Sequence, residues 1–369
     1  MKILVYDDSL EFGGHQIMAC QGVEALAEDP SLEVAFISNP HNKRLACRIA
    51  GIKTLHPMET PCATRRFQGF RNHFNRQGIR ILEKEFKAAE PDLVLCIQGD
   101  IEQSSQAVLA ACRAGIECVS YIAVPHRLTD MRAKLGSLRD RTNQYLLNQP
   151  DRYITISESM KRLLIERGVT KPITIVPNGI PAPLTTSRIP HSTAHTTLGL
   201  IGRIEFKQKR QDFMIKTFCR QPEVFQDCRL LIAGNGPDED ALKQLVSESP
   251  RCNDITLLPW QDDVEPLYQK IDVLMLPSRY EGVPLVMLEA LVRGIPVIGS
   301  ACDGMKDILP EAWMFEFGNA DALALTYSNL RTRGTPEMDA LRQHILSEHS
   351  LDAFRVNFLH AASGRLPEG

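Results

Sequence analysis

IDVLMLPSRYEGVPLVMLEALVRGIPVIGS, residues 271–300, packs a strand, a phosphate-sized turn, a helix and a second strand into one short stretch. Ile271 to Leu276 is an almost unbroken apolar run ended by Pro277-Ser278, as a parallel strand buried on both faces requires. Leu285 to Leu291 reads as a helix. Pro284 suits its first turn, where a missing amide hydrogen costs nothing, and Gly294 suits a left-handed stop. The apolar strand Ile295 to Ile298 follows at once. Glu281 lies in the turn and Glu289 within the first two turns of the helix, at the carboxyl end of a strand, where open α/β sheets bind ligands.

Working outward, the 369 residues suffice for two domains with separate cores, and the formal net charge of -3 argues against nucleic acid as a partner. The exception is residues 43–87, which hold 11 basic and 3 acidic residues. The 10 cysteines form no Cys-x-x-Cys pair and no zinc-spaced set, so reduced thiols and no metal are expected. The amino terminus lacks a secretory signal, and no apolar run reaches the roughly 18 residues of a membrane span. Cytoplasmic residence is the expectation.

The strands Lys2–Tyr6, Val34–Ser38, Leu93–Ile97, Cys118–Val124, Tyr153–Ile156 and Ile173–Val176 alternate with helical patterns near 16–28, 79–89 and 104–114. Such alternation implies right-handed βαβ units and a mainly parallel sheet. Residues 181–197, rich in proline and hydroxyl residues, read as a linker. The alternation restarts with Leu198–Ile201, Arg229–Ala233, Ile255–Leu258 and the opening stretch, with helices near 210–219 and 239–247. The expected organisation is a first Rossmann-like domain over 1–180 and a second over 198–350. A last helix, about 351–363, is left to pack on the first domain.

Several groups of residues have the chemistry of a ligand site. Glu281-Gly282-Val283-Pro284 opening a helix offers backbone amides and a positive dipole end, which suit a diphosphate. An ionised carboxylate only accepts, so Glu289 suits the two hydroxyls of a ribose and Glu281 a sugar hydroxyl; taken singly, both also read as ordinary turn and helix residues. Arg203 and Lys209, in GRIEFKQKRQD after the strand Leu198–Ile201, can offset a diphosphate's charge without a metal, although Lys207 and Arg210 share the run. Gly234-Asn235-Gly236-Pro237 and Gly13-Gly14-His15 are glycine turns after strands, neither with the spacing of a dinucleotide fingerprint. His126, Asp100 and Glu102 lie in loops at the carboxyl edge of the first sheet, where they either meet a ligand or serve the loop itself. Phe67, Phe70 and Phe74 recur at helical spacing among Arg65, Arg66, Arg71, Arg76 and Arg80. That stretch, about 64–87, is either a core-facing aromatic stripe or an interfacial segment meeting anionic lipid.

Together these residues resemble the retaining glycosyltransferases of family 4, with the GT-B architecture of two facing Rossmann-like domains and an interdomain cleft. The similarity covers most of the chain and is carried by PSRYEGVPLVMLEALVRGIPVIGS, the GR…K pair, the GNGP turn and VPNGI at 176–180, all in order. The resemblance implies that Glu281 contacts the donor sugar and Glu289 the ribose. Gly282, Val283, Pro284 and Leu285 would hold the diphosphate, with Arg203 and Lys209 at the departing nucleoside diphosphate. His126 would approach the sugar from the first domain, Gly13 and Gly14 would face phosphates and acceptor, and Gly234 and Leu258 would line the donor site. His15, Asp100 and Glu102 fall on the acceptor side. His15-Gln16 replaces the glutamate that many relatives carry after the glycines, and Pro259-Trp260 stands where a glycine is common.

The expected function is transfer of a sugar from a UDP- or GDP-linked donor to a hydroxyl of a glycan or lipid-linked acceptor, with retention and without a cofactor. Expected partners are donor and acceptor, no nucleic acid, a peripheral contact with the inner face of the membrane through about 64–87, and a monomeric or homodimeric state. A sugar-nucleotide epimerase, a phosphorylase and a non-catalytic sugar-nucleotide-binding subunit remain open as alternatives.

Overall fold

The computed structural model describes residues 1–183, 195–261 and 263–365. Contacts divide the chain into two compact units, Met1–Gly179 with the segment from Leu351 onward, and Ile180–Ser350. In the first unit, β1 (Lys2–Asp7), β2 (Glu33–Ser38), β3 (His56–Glu59), β4 (Leu93–Gln98), β5 (Glu117–Ile122), β6 (Arg152–Thr155) and β7 (Ile173–Ile175) form one parallel sheet in the order β3-β2-β1-β4-β5-β6-β7. In the second, β8 (Thr196–Ile201), β9 (Cys228–Ala233), β10 (Ile255–Leu258), β11 (Val273–Leu276), β12 (Val297–Ser300) and β13 (Met314–Phe315) run in the order β10-β9-β8-β11-β12-β13, again parallel. Each sheet reverses direction of growth once, at β1/β4 and at β8/β11. These are the points where the connections leave in opposite senses and open a crevice beyond the strand ends.

The central strands are buried along nearly their whole length, which is why they read as apolar runs rather than alternating ones. Strand β3 is the element that periodicity misses. Its sequence His56-Pro57-Met58-Glu59 is exposed throughout and pairs on one side only, with Ala35–Ser38, so no apolar face marks it and Pro57 is tolerated at the edge. Of the expected linker, 184–194 lie outside the described residues, while Thr196 and Thr197 already belong to β8, paired with Cys228 and Arg229.

Phe70 and Phe74 do not face the core. They are 47% and 76% exposed, on the helix Gln68–Phe74, with ring centroids 5.0 Å apart, while Phe67 lies under the Arg139 guanidinium at 5.1 Å. A second helix, Gln77–Ala89, follows after a break at Asn75-Arg76. The helical spacing of the three phenylalanines therefore reports a local helix without reporting its environment.

The last helix, Leu351–Ser363, packs on the helix Gly14–Glu28 in the first unit. Arg355 pairs with Glu24 (3.0 Å) and Glu28 (2.6 Å), and the Phe358 ring meets Tyr121 edge-on at 5.4 Å. A Cβ at Gly22 would stand 2.3 Å from the Phe358 ring, so only glycine lets the two helices approach this closely. Alanine there gains helix propensity but overpacks the contact. Gly22→Ala is expected to destabilise the protein by about 1–3 kcal/mol, and pairing it with Phe358→Leu to recover part of the loss, read by thermal unfolding. An unchanged or raised Tm in the single variant contradicts this packing.

Candidate functional site

In the second unit the crevice at β8/β11 is framed by the segments following those strands, residues 202–210 and 277–284. The first is shaped by glycine. Gly202 N–H donates to Ala233 O (2.9 Å) and Ile204 N–H to Asn235 O (2.8 Å), laying 202–204 directly on the Gly234-Asn235-Gly236 turn. A Cβ at Gly234, where φ is +152°, would stand 1.8 Å from Gly202 O, and one at Gly236 2.2 Å from Ile204 O. The amide of Gly234 is also engaged, by Leu258 O at 3.1 Å. The GNGP turn thus supports the segment bearing Arg203 through close backbone contact, a role that spacing alone does not separate from ligand binding.

The two segments are then tied together. Arg279 N–H donates to Gln208 O (2.8 Å), Gln208 Nε2 to Tyr280 O (3.3 Å), and the Arg279 guanidinium sits 4.7 Å from the centroid of the Phe317 ring. The result is an ion pair between two of the expected site residues, Lys209 Nζ to Glu281 Oε1 at 2.6 Å, with Glu281 buried and Lys209 partly exposed. Arg203 keeps a side chain 42% exposed, with Nε 3.4 Å from Glu205. The helix Leu285–Val292 begins beside this pair with Pro284 as its first cap residue and no capping side chain among the described residues, so its amino-terminal end retains donor character. Gly282 is covered by a close neighbour: a Cβ at Gly304 would stand 2.1 Å from its carbonyl oxygen.

Glu289 lies behind that turn and is held by a residue that sequence reading misses. Tyr268 Oη donates to Glu289 Oε2 at 2.6 Å; the Arg293 guanidinium lies 4.7 Å from the Tyr268 ring centroid and forms a two-point pair with Glu265 (2.7 and 3.0 Å). Burial raises the Glu289 carboxyl above its ordinary range, Tyr268 and Arg293 oppose the shift, and Glu265 adds to it. A tyrosine in a four-residue helix, Glu265–Tyr268, leaves no periodic signal by which to find it.

In the first unit, His126 is buried after β5, its backbone carbonyl and that of Pro125 both accepting from Arg167 Nη1 (2.8 and 2.7 Å). Asp140 caps the same loop by accepting from the amides of Leu128 and Thr129. Asp100 accepts from the amides of Glu102 (2.7 Å) and Gln103 (3.1 Å), so it organises the β4 loop. Glu102, expected on the acceptor side, is engaged within the first unit. Both its oxygens are taken, by a bidentate pair with Arg139 (3.1 and 2.7 Å) and by Asn143 Nδ2 (2.8 Å), and the group is buried. Three of the carboxylate's four or so acceptor sites are thereby engaged, which fixes its geometry. Gly13 begins the helix Gly14–Glu28 with its amide bonded to Gln16 Oε1 (2.7 Å), which removes that N–H from those available to a phosphate. His15 lies in the first turn, against Gly99.

With this geometry established, two family models match the chain in series: Glycosyltransferase Family 4 over residues 12–182 and Glycosyl transferases group 1 over residues 195–332. An uncharacterized glycosyltransferase of Haemophilus influenzae is 28% identical over 160 residues, 43% of this chain and 44% of that protein. Lipopolysaccharide 1,6-galactosyltransferase of Escherichia coli is 27% identical over 252 residues, 66% of each chain. The matched stretches therefore span from under half to about two-thirds of these relatives' lengths. Among solved structures, Anabaena HepE in complex with UDP-glucose superposes with a TM-score of 0.76 at 14% identity, over 99% of this chain and 100% of that one. Two open parallel sheets, a phosphate-suited turn paired with a lysine across the β8/β11 crevice, and two consecutive family matches lead to one assignment: the chain belongs to the family 4 glycosyltransferases and has the GT-B fold.

Proposed function

We propose that this protein is a retaining hexosyltransferase that moves a sugar from a UDP-linked donor to a hydroxyl of a glycan or lipid-linked acceptor. The Lys209–Glu281 pair at the mouth of the β8/β11 crevice carries the reading, because it places a cation and a carboxylate at one turn beside an uncapped helix end. The UDP-glucose complex of HepE and the name of the Escherichia coli relative favour UDP-glucose and UDP-galactose over GDP-sugars as first candidates.

In this mechanism the diphosphate lies on the amides at 283–285, with Arg203 and Lys209 aimed at the charge that develops as the anomeric C–O bond breaks. Glu281 accepts from a hydroxyl of the sugar, and Glu289 accepts from the ribose hydroxyls with the lone pairs that Tyr268 leaves. The acceptor oxygen forms the new bond on the face that the phosphate leaves, and its proton passes to the leaving phosphate oxygen, which preserves the configuration. No metal is required where two cations and a helix end already offset the charge.

Arg203→Ala and Lys209→Ala are each expected to lower kcat by about 10²–10³, the scale of losing one preorganised partner of a developing oxyanion. Release of UDP from UDP-glucose and UDP-galactose measures this; variants turning over like wild type would sink the assignment of these cations. Tyr268→Phe removes a hydrogen bond to a charged group and is expected to raise the donor KM about tenfold with little change in kcat. Glu289 must be ionised to accept, so donor affinity is expected to fall as pH drops through its raised pKa. Loss of the Tyr268 hydroxyl pushes that fall to higher pH, and identical pH profiles for the two proteins would contradict the pairing.

Peripheral membrane contact belongs to the same reading. Phe74, Arg76, Arg80 and Lys84 line a surface concavity of about 460 Å³ beside the exposed Phe70. Among the described residues none of these three cations is ion-paired, and each Lys/Arg near an anionic surface contributes about 1 kcal/mol. More protein should sediment with anionic than with neutral vesicles, and Phe74→Ser with Arg80→Ser should reduce the difference; equal recovery with both vesicle types rejects the contact.

A further inference from the structure

The two cations proposed at the diphosphate do not enter the β8/β11 crevice as free charges. Lys209 Nζ lies 2.6 Å from Glu281 Oε1 and Arg203 Nε 3.4 Å from Glu205 Oε2, so each arrives with a carboxylate of its own. The two pairs differ in burial. The Arg203 and Glu205 side chains are 42% and 21% exposed, those of Lys209 and Glu281 24% and 6%, so water screens the first pair more than the second. A diphosphate alone would be held more tightly by the same cations without the carboxylates. Phosphate binding therefore gives no reason for Glu281 to stand where it does.

Among the described residues the Lys209 ammonium and the Glu281 carboxylate bond only to each other. Two of the three ammonium N–H groups are unused, and Glu281 Oε2 has no partner and is not sealed from solvent. A phosphate oxygen that accepts from Lys209 Nζ at roughly 2.8 Å can be no farther than roughly 5.4 Å from Glu281 Oε1, because the ammonium itself is 2.6 Å from that oxygen. Like charges at that separation in a partly buried crevice repel by an amount worth about tenfold in affinity. The carboxylate thus opposes any phosphate that Lys209 holds, unless the ligand brings a group that donates to Oε2.

A bare nucleoside diphosphate and a sugar nucleotide meet this carboxylate in opposite ways. The bare compound ends in a phosphomonoester, which at pH 7 is past its second ionisation near about pH 6 and carries the greater negative charge. It offers Glu281 nothing to accept. The sugar nucleotide has that extra ionisation blocked by the sugar and carries hydroxyls that donate to Oε2. We infer that Glu281 discriminates between the donor and the nucleoside diphosphate left after transfer: fixed beside Lys209, its carboxylate weakens the bare diphosphate and strengthens the sugar nucleotide, so that loss of the sugar promotes release. That this discrimination serves turnover rests on the transferase reading above; the discrimination itself is a property of binding. Glu205, beside the other cation, lowers the charge of the site for both ligands alike.

Calorimetry of the full chain with UDP, UMP, UDP-glucose and UDP-galactose tests this in wild type, Glu281→Gln and Glu205→Gln. Glu281→Gln is isosteric and should bind UDP about tenfold more tightly and the UDP-sugar that wild type prefers about tenfold more weakly. UMP, which lacks the terminal phosphate, should change by less than about twofold in the same variant. Glu205→Gln should tighten UDP and the UDP-sugar together by about twofold, since a half-exposed pair is well screened, and leave their ratio unaltered. A gain in UDP affinity cannot come from misfolding, so that measurement stands whatever the variant's Tm. Unchanged or weaker UDP binding in Glu281→Gln, an equal gain for UMP, or a ratio shifted as far by Glu205→Gln overturns the inference and leaves the transferase reading to the UDP-release assay. The expected shift in ratio without UDP release from either sugar nucleotide keeps the discrimination and removes the transferase reading. A wild-type protein that binds neither UDP nor a UDP-sugar removes both.

Discussion

The pair between Lys209 and Glu281 joins two segments that the chain separates by 72 positions, and the arrangement of the second unit's crevice depends on it. A carboxylate buried this far is costly unless a cation meets it, and a lysine stem held this close is costly in side-chain entropy unless the backbone beneath it is already fixed. The backbone is fixed by contacts involving no charge at all: Gly202 and Ile204 laid on the Gly234–Gly236 turn, and Arg279 bonded to Gln208. Glycine at 234 and 236 is thus a condition for the ion pair. The same order of dependence holds at Glu289, whose carboxyl is oriented by Tyr268, which in turn lies beneath Arg293 and the Arg293–Glu265 pair.

The two crevices are built on one topological rule with opposite electrostatics. At β8/β11 the segments carry cations and a helix end, so the site suits a diphosphate. At β1/β4 they carry two buried acids and a buried histidine that burial keeps neutral, with no lysine or arginine bonded to either acid among the described residues. Glu102, which lies in the loop after β4, is drawn instead into a bidentate pair with Arg139, where it fixes the loop from behind.

Much of the fold was legible because buried parallel strands leave continuous apolar runs and their connecting helices begin and end at glycine, proline and polar residues. Strand β3 was not, since an edge strand exposed on every residue has no apolar signature. Phe67, Phe70 and Phe74 gave the right local structure with an open environment: helical spacing says which residues share a face and nothing about what covers it. At the site, Glu281, Glu289, Arg203 and Lys209 were marked by their order along the chain. Tyr268 and Arg167 were not: Tyr268 ends a four-residue helix too short for a periodic signal, and Arg167 acts on the backbone carbonyls of Pro125 and His126, which no residue type announces. Asp7-Asp8 carried a usable signal, two acids directly after an apolar strand, which becomes meaningful once β1 is known to lie at the sheet reversal.

By itself, then, the sequence determined two parallel α/β units, the segments that bear charge, and the family to which they belong, since these follow from periodicity and from the local order of residue types. The tertiary structure decided which of those charges meet, which acids are paired away, and which polar atoms are left facing one another. Strand order and the closest approaches of backbone to backbone set those distances, and neither is written in any single stretch of the chain.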